Sequence, residues 1–180
     1  MRGYVELHCH SSYSFQEGAS SIDELLVQAK SLGYGALALT DHDNLCGAME
    51  FSRVANSLGI QPITGAEITL KDGSHLTLLA ETRKGYANLC NLITYSRVGG
   101  DRLDPSLDPK FLPHHAEGLI LLTGCSKGRV RSLLADERYE EAETEARDYL
   151  KWFGPDNVFL ELQQNLVHGD TQRNRRLLQL

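Results

Sequence analysis

The sequence predicts an α/β protein, because strand-like and helix-like segments alternate along its 180 residues. Short apolar runs such as Ala36–Thr40 have the length of buried strands, and the segments between them repeat their apolar residues with a helical period. Polar clusters follow these runs, at the points where strands would end. The alternation implies a mainly parallel sheet. The number of strands suggests one domain, residues 1–180, built as a barrel that stops before its last strand or strands.

Local signals place the individual elements. A strand over Tyr4–His8 precedes a helix that the capping box Ser21–Glu24 opens and Gly33 closes. Lys71–Gly73 predicts a tight hairpin turn, and Pro109 suits the first turn of a short helix. Further strands are predicted over 36–40, 61–70, 75–80, 119–123 and 158–163, further helices over 45–58, 85–98, 127–135, 139–153 and from about 170, and a loop over 99–108.

Composition restricts the function classes. A net charge of −6 argues against a free-standing nucleic-acid binder, which would usually carry a basic face. The longest apolar stretch, Gly118–Thr123, is far too short to span a membrane, and we expect no membrane partner. Four widely spaced cysteines without a Cys-x-x-Cys motif predict a reduced, cytoplasmic protein. The sequence ends within the amphipathic segment Arg175–Leu180 without a cap, so we expect a fragment of a longer chain.

The strongest chemical signal is the pair His8 and His10. Side chains alternate along a strand, so both imidazoles point the same way and supply half of a metal site. A lone His-x-His is more often two ordinary histidines, and the weight of this pair comes from later clusters at strand ends. Neutral imidazoles suit Zn, Mn or Fe, and a mixed set of histidines and carboxylates favours catalysis over a closed structural site.

Those later clusters are Thr40–His42 and Glu67. His42 is a candidate ligand, and Asp41 either ligates or orients a neighbouring imidazole. The alternative is that Asp41, Asp43 or Asn44 caps the helix that follows. Glu67 lies in an apolar strand and needs a partner or a metal, unless the strand is at an edge and the acid faces water. Together with the histidines, it favours the metal.

Three further residues are more ambiguous by themselves. Glu17 is an ordinary loop acid on its own, and Cys125 is equally well a thiolate ligand or a small buried cysteine. His75 shares a face with Glu67 only if the hairpin loop has three residues, so that residue 69 pairs with residue 75. His114, His115 and His168 lie in polar segments and are interpreted as solvated.

In this order the residues resemble the PHP family (polymerase and histidinol phosphatase), and within it the N-terminal domains of bacterial DNA polymerase III alpha subunits. The resemblance covers nearly the whole chain. The opening Tyr4–Ser11 and the segment Leu92–Thr94 are similar to the error-prone branch of these C-family polymerases. The segments that carry the resemblance are Glu6–Ala19, Ala38–Ala48, Ile63–Glu67, His75–Ala80, Gly85–Leu89, Glu117–Cys125 and Phe159–Gln163.

The resemblance implies a distorted (βα)7 barrel that holds up to three metal ions. It assigns metal positions to His8, His10, Glu17, His42, Glu67, His75 and Cys125. Glu17 stands where polymerase members usually have Asp, which gives the carboxylate a longer reach. The family's final Asp-x-His motif is not among these residues, so at least one metal would lack ligands and the chain alone would be weakly active or inactive.

The implied function is a metal-binding domain of a DNA polymerase, with possible metal-dependent 3′–5′ exonuclease or phosphoesterase activity in replication or translesion synthesis. Its partners would be the remaining polymerase domains and, through them, DNA. One alternative is a structural module that is catalytically silent. Another is a free-standing small-molecule phosphatase like histidinol phosphatase, against which the polymerase-type segments Gly85–Leu89 and Glu117–Cys125 argue.

Overall fold

Five strands form one open sheet in this computed structural model, which describes residues 3–98, 104–166 and 168–180. The outer pairs β1–β2 and β4–β5 are parallel, whereas β3 runs antiparallel to both of its neighbours. The α/β class is therefore confirmed, and the sheet does not close within the described residues. The strands, in spatial as well as chain order, are β1 (Ala36–Leu39), β2 (Gln61–Thr69), β3 (His75–Ala80), β4 (Leu119–Leu122) and β5 (Val158–Phe159).

Local chemistry sets the start of the first helix and the end of the second, although the second helix begins at Ala48, three residues later than predicted. The capping box is formed: the Glu24 amide donates to the Ser21 hydroxyl, and the Ser21 amide donates to the Glu24 carboxylate at 2.8 Å. Gly59 ends the second helix in the left-handed region at φ 68°. The helices are α1 (Ile22–Ser31), α2 (Ala48–Leu58), α3 (Arg83–Arg97), α4 (Arg129–Ala135), α5 (Tyr139–Phe153) and α6 (Asp170–Leu177), with 3-10 helices at Pro109–His114 and Pro155–Asn157.

Two predicted strands are shorter than expected. Within the predicted strand Tyr4–His8, only Glu6 forms a bridge, a parallel one to Leu37 of β1. The predicted strand 158–163 pairs only over β5. Both segments lie at the open ends of the sheet. Each therefore has a hydrogen-bonding neighbour on only one side among the described residues. Part of the predicted loop 99–108, residues 99–103, lies outside the described residues.

The helices pack against one face of the sheet and bury the main core. Its larger part lies between the central strands and α3, α4 and α5, and includes Leu78, Leu121 and Tyr149, all fully buried. A second part joins α1 and α2 to β1 around Leu26 and Phe51. Truncating a buried side chain of this size costs about 3–5 kcal/mol, so these contacts fix the sheet as the support for the site.

The other face of the sheet opens into a trough. Ala38, Leu79 and Leu122 form a small apolar cluster there. The trough has a volume of about 990 Å³ and runs between the N-terminal segment 4–8 and the residues around β5. No described helix is long and apolar enough to cross a membrane.

The hairpin between β2 and β3 decides which side chains meet. Thr69 pairs with His75, and the Leu70 amide donates to the Ser74 carbonyl at 2.8 Å, which leaves a three-residue loop. This is the register that brings Glu67 and His75 to one face. Because β3 is antiparallel to β2 and β4, its first residue lies at the edge where those strands end. We call this edge the rim.

Candidate metal centre

Four imidazoles lie side by side along the rim. The ring centroids of His8 and His10 are 5.3 Å apart, those of His10 and His42 6.3 Å, and those of His42 and His75 4.7 Å. The first two rings come from the N-terminal segment, the third follows β1, and the fourth begins β3. Three separate parts of the chain therefore bring imidazole nitrogens to one place.

Glu67 lies at the centre of the cluster. It is 2% exposed, and its carboxylate oxygens lie 2.6 Å from His75 Nδ1 and 2.9 Å from His8 Nε2. Burial by itself would raise the pKa of this carboxyl group, but the hydrogen bonds from His75 and His8 hold it far below its usual value. Glu67 is therefore an anion with buried partners, and the alternative of an edge-strand acid facing water does not apply.

His8 lies between two carboxylates. Its Nδ1 is 2.6 Å from Glu161 Oε1, while its Nε2 faces Glu67. Burial acts to lower the pKa of His8, but the bonds to Glu161 and Glu67 outweigh it and raise the value to about 10. Glu161 was not among the site residues predicted from the sequence. The available signal was an acid inside the apolar segment Phe159–Gln163, the same signal that identified Glu67.

Glu17 reaches the rim from the loop that follows His10. Its Oε2 lies 2.7 Å from His42 Nδ1 and 3.8 Å from His10 Nδ1. The other ring nitrogen of His42 lies 2.7 Å from Thr69 Oγ1 and 3.2 Å from Asp43 Oδ2. Asp43 is a second residue of the site that was not predicted from the sequence.

Asp41 anchors the loop that carries Glu17. Its carboxylate accepts from the Ser11 amide at 2.7 Å, the Ser11 hydroxyl at 2.8 Å and the Ser14 hydroxyl at 2.7 Å. Ser14 Oγ in turn accepts from the His42 amide at 3.0 Å. Among the described contacts, Asp41 therefore bonds to the loop and not to an imidazole. Asp41 does not cap α2 either, because that helix has Gly47 at its N-cap position.

Cys125 follows β4 and approaches His75. Its Sγ lies 3.6 Å from His75 Nδ1. The turn depends on Gly124, at φ 88°, because a Cβ there would meet the His75 carbonyl oxygen at 2.6 Å. Burial and then the charge of Glu67 raise the pKa of the Cys125 thiol to about 12. Without a metal the thiol stays protonated at neutral pH, and a bound cation would be needed to make it a thiolate.

The residues present fit a metal ion. Their donors form two groups that share Glu67, one with His8 and His10 and one with His42 and His75, and within each group the donor atoms lie within 4.8 Å of one another. His10 Nε2 is buried without a hydrogen-bond partner among the described residues, which leaves a nitrogen free to ligate. The donor set of imidazole and carboxylate is the one that Zn, Mn and Fe accept.

All seven predicted metal residues thus lie at one rim, and their roles as ligands stay a prediction. Three other histidines do not join them. His114 and His168 are exposed, as expected. His115, expected to be solvated, is half-buried, with its ring 5.3 Å from that of Tyr95 and its Nδ1 3.0 Å from the Phe111 carbonyl oxygen.

An open pocket of about 350 Å³ lies at the rim and has one cationic edge. Among the described residues that line it, Lys127 is the one with a cationic Lys or Arg side chain. Its Nζ lies 4.0 Å from Glu17 Oε1. The His75 amide donates to the Lys127 carbonyl, which fixes the turn beside the imidazoles. The arrangement combines metal-type donors with a positive group suited to an anionic ligand. The other lining residues are His8, His10, Glu17, Glu67, His75, Cys125, Ser126, Gln163 and Asn165.

Known proteins resemble this chain over nearly its full length. It is 45% identical, over 98% of its residues, to an error-prone DNA polymerase of Symbiobacterium thermophilum, and 42% identical, over 90%, to a DNA polymerase III subunit alpha of Treponema pallidum. The chain spans 18% and 15% of those relatives, less than a fifth of their length. A crystal structure from Bifidobacterium adolescentis, of a protein assigned as a metal-dependent phosphoesterase, shares the fold with a TM-score of 0.61 at 16% identity, over 99% of this chain and 83% of that one.

The match to a family is equally extensive. Residues 6–165 fit the sequence profile of the family described as PHP domain, and this range includes every residue of the rim cluster. The chain therefore belongs to the PHP domain family.

Proposed function

We propose that this chain is the metal-binding domain of a bacterial C-family DNA polymerase and that its rim hydrolyses phosphodiester bonds, as a 3′–5′ exonuclease would. The observation that carries the proposal is the position of Glu67, whose carboxylate belongs to both donor groups at once. A carboxylate shared by two groups suits a pair of cations, and paired cations are common in enzymes that cleave phosphate esters. The polymerase names of the relatives support DNA as the substrate.

The roles of the residues follow from the donor groups. His8 and His10 would hold one ion with Glu67, His42 and His75 would hold a second, and Glu17 and Cys125 would complete the coordination. Bound metal would supply a water of lowered pKa and a Lewis acid for the phosphate oxygens. Lys127 would contact a phosphate oxygen at the open edge of the cavity, where its charge opposes that of the substrate.

The finer parts of the proposal concern metal identity and context. Zn, Mn or Fe is proposed because nitrogen donors outnumber carboxylates among the rim residues. The partners would be the remaining domains of a longer polymerase chain. Those domains would also supply the affinity for DNA, because a net charge of −6 on this chain does not favour DNA binding. We propose a cytoplasmic location, in line with four free cysteines.

One observation favours a second candidate, a structural domain without turnover. The contacts His75–Glu67 and His8–Glu161, both 2.6 Å, already satisfy much of the cluster without a cation. Such a network would stabilise the domain by itself. The two candidates differ in one measurement, because only the enzyme would lose hydrolysis by the whole polymerase when the rim residues are replaced.

Metal content tests whether the rim binds metal at all. Protein loaded with Zn²⁺ or Mn²⁺ and then desalted should retain a substantial fraction of one equivalent, measured by elemental analysis. Replacing His8 and His10 by Ala should lower the metal content more than the matched pair His114→Ala and His115→Ala, because neither His114 nor His115 lies at the rim. Equal losses from both pairs, or no metal in the folded wild-type chain, would refute the assignment.

Activity tests the enzymatic part. Hydrolysis of single-stranded DNA with added Mn²⁺ or Zn²⁺ should be faster for a longer polymerase chain than for these 180 residues. The reason is the Asp-x-His motif that the family resemblance implies and that this sequence does not include. Misplacing the reacting groups by about 1 Å can cost about 10²-fold in rate. Equal rates would show that this motif is dispensable.

A further inference from the structure

Among the described residues outside the two donor groups, Glu161 makes the shortest contact to an imidazole of the rim. Its Oε1 lies 2.6 Å from His8 Nδ1, and both side chains are about nine-tenths buried. Thr77 Oγ1 lies 3.2 Å from the same nitrogen. His8 Nδ1 is therefore surrounded by two oxygens and points away from the donor groups.

The contact fixes the chemistry of the opposite nitrogen. An ionised carboxylate accepts hydrogen bonds and cannot donate them, so His8 Nδ1 carries the proton in this pair. Nε2 lies 2.9 Å from Glu67 Oε2 and faces the shared donor, so a cation bound there would replace the proton on Nε2 and leave the ring protonated at Nδ1. A carboxylate behind a ligating imidazole sets its tautomer and orientation in the same way at known metal sites.

Glu161 is itself held in place. Its amide donates to Thr123 Oγ1 at 3.0 Å, and Gln163 Nε2 donates to its Oε1 at 2.7 Å. Thr123 directly follows β4, so the position of Glu161 depends on the pairing of β5 with β4. The first bond fixes the backbone of Glu161 and the second holds its Oε1 beside His8.

We propose that Glu161 is a positioning residue that orients His8 toward the metal through Nδ1 and does not itself ligate. The inference rests on metal binding at the rim, which is part of the proposed function, but it does not require hydrolysis. A wild-type chain that binds metal and hydrolyses nothing would refute the enzymatic proposal and leave this one intact.

The test uses three variants of the chain and a titration of Mn²⁺ or Zn²⁺ against a competing chelator. Glu161→Ala removes the acceptor and should weaken metal affinity about 10- to 100-fold. Glu161→Gln keeps an oxygen that accepts from Nδ1 and should recover a large part of the loss. Glu6→Gln is the matched control, because Glu6 contacts the His8 amide at 3.2 Å and not its ring.

A spectroscopic measurement separates orientation from a general loss of structure. In the zinc-loaded wild-type chain, long-range 15N–1H spectra should show a protonated Nδ1 on His8, and in Glu161→Ala this proton should move upfield and exchange faster with water, because it has lost its carboxylate acceptor. Denaturant unfolding of the metal-free variants identifies any variant that is simply unfolded, in which case Glu161→Gln alone decides the outcome.

Three results would overturn the inference. The first is wild-type affinity in both Glu161 variants while they remain folded. The second is an equal loss in Glu6→Gln, which would indicate an effect of charge and not of orientation. The third is a wild-type chain that binds no Mn²⁺ or Zn²⁺, because there would then be nothing for His8 to be positioned toward.

Discussion

Replacing Asp41 by Ala should destabilise the protein without touching an imidazole. The carboxylate accepts three hydrogen bonds from the loop that begins the site, and the two serines that donate them are fully buried. Removing the acceptor leaves three buried donors without a partner. The loop would then lose its main connection to the residues that follow β1.

The size of the effect follows from these three donors. Each buried donor without a partner costs about 1–3 kcal/mol, and rearrangement or water recovers part of the sum. We therefore expect Asp41→Ala to lower the free energy of unfolding by about 3–5 kcal/mol, out of about 5–15 kcal/mol for a typical domain. Asp41→Asn keeps one acceptor oxygen and should cost about 1–3 kcal/mol.

The assay is urea unfolding in the presence of a chelator, so that bound metal does not add to the stability of the native state. Glu50→Ala is the matched control, since Glu50 accepts one hydrogen bond from Tyr13 of the same loop at a solvent-exposed contact. It should change stability by less than about 1 kcal/mol. A loss below about 1 kcal/mol in Asp41→Ala, with an unchanged m-value, would refute the argument from buried donors.

Three further predictions concern charge at the rim. The folded-state pKa of His8, about 10, lies above its unfolded value of 6.5, so its contribution to stability is complete below pH 6.5 and is lost as pH rises through 10. In the metal-free His8→Gln variant, the free energy of unfolding in urea should therefore change less with pH over that range. Burial, with the charge of Glu67, raises the pKa of Cys125 to about 12, so iodoacetamide at pH 8 should alkylate exposed Cys46 first, and equal rates by peptide mass spectrometry would contradict this. Lys127→Ala should weaken inorganic phosphate binding to the metal-loaded chain about two- to fivefold by calorimetry, whereas Lys84→Ala, on α3 and not among the cavity-lining residues, should leave it unchanged.

The elements that local chemistry determines could be predicted closely. The capping box at Ser21 and the glycine after Leu58 fixed the start of α1 and the end of α2, because caps act on the nearest turn of backbone. The start of α2 was predicted three residues too early, since Asn44 accepts from the Cys46 amide and forms a turn there instead. The strands predicted over 4–8 and 158–163, at the two ends of the sheet, are longer than the paired segments observed. A segment becomes a strand only where a neighbouring strand pairs with it.

Sequence by itself determined the α/β class and the set of residues to consider, since polar groups at the ends of apolar runs are visible in the order of residues. Tertiary structure decided which of them touch. Whether His75 lies beside Glu67 depended on a hairpin register, and the contacts of Glu161 with His8 and of Asp41 with Ser11 join residues 153 and 30 positions apart. A periodic pattern reports which face a side chain takes, whereas a contact between distant segments depends on how strands pair, and that pairing is set by the packing of the whole sheet.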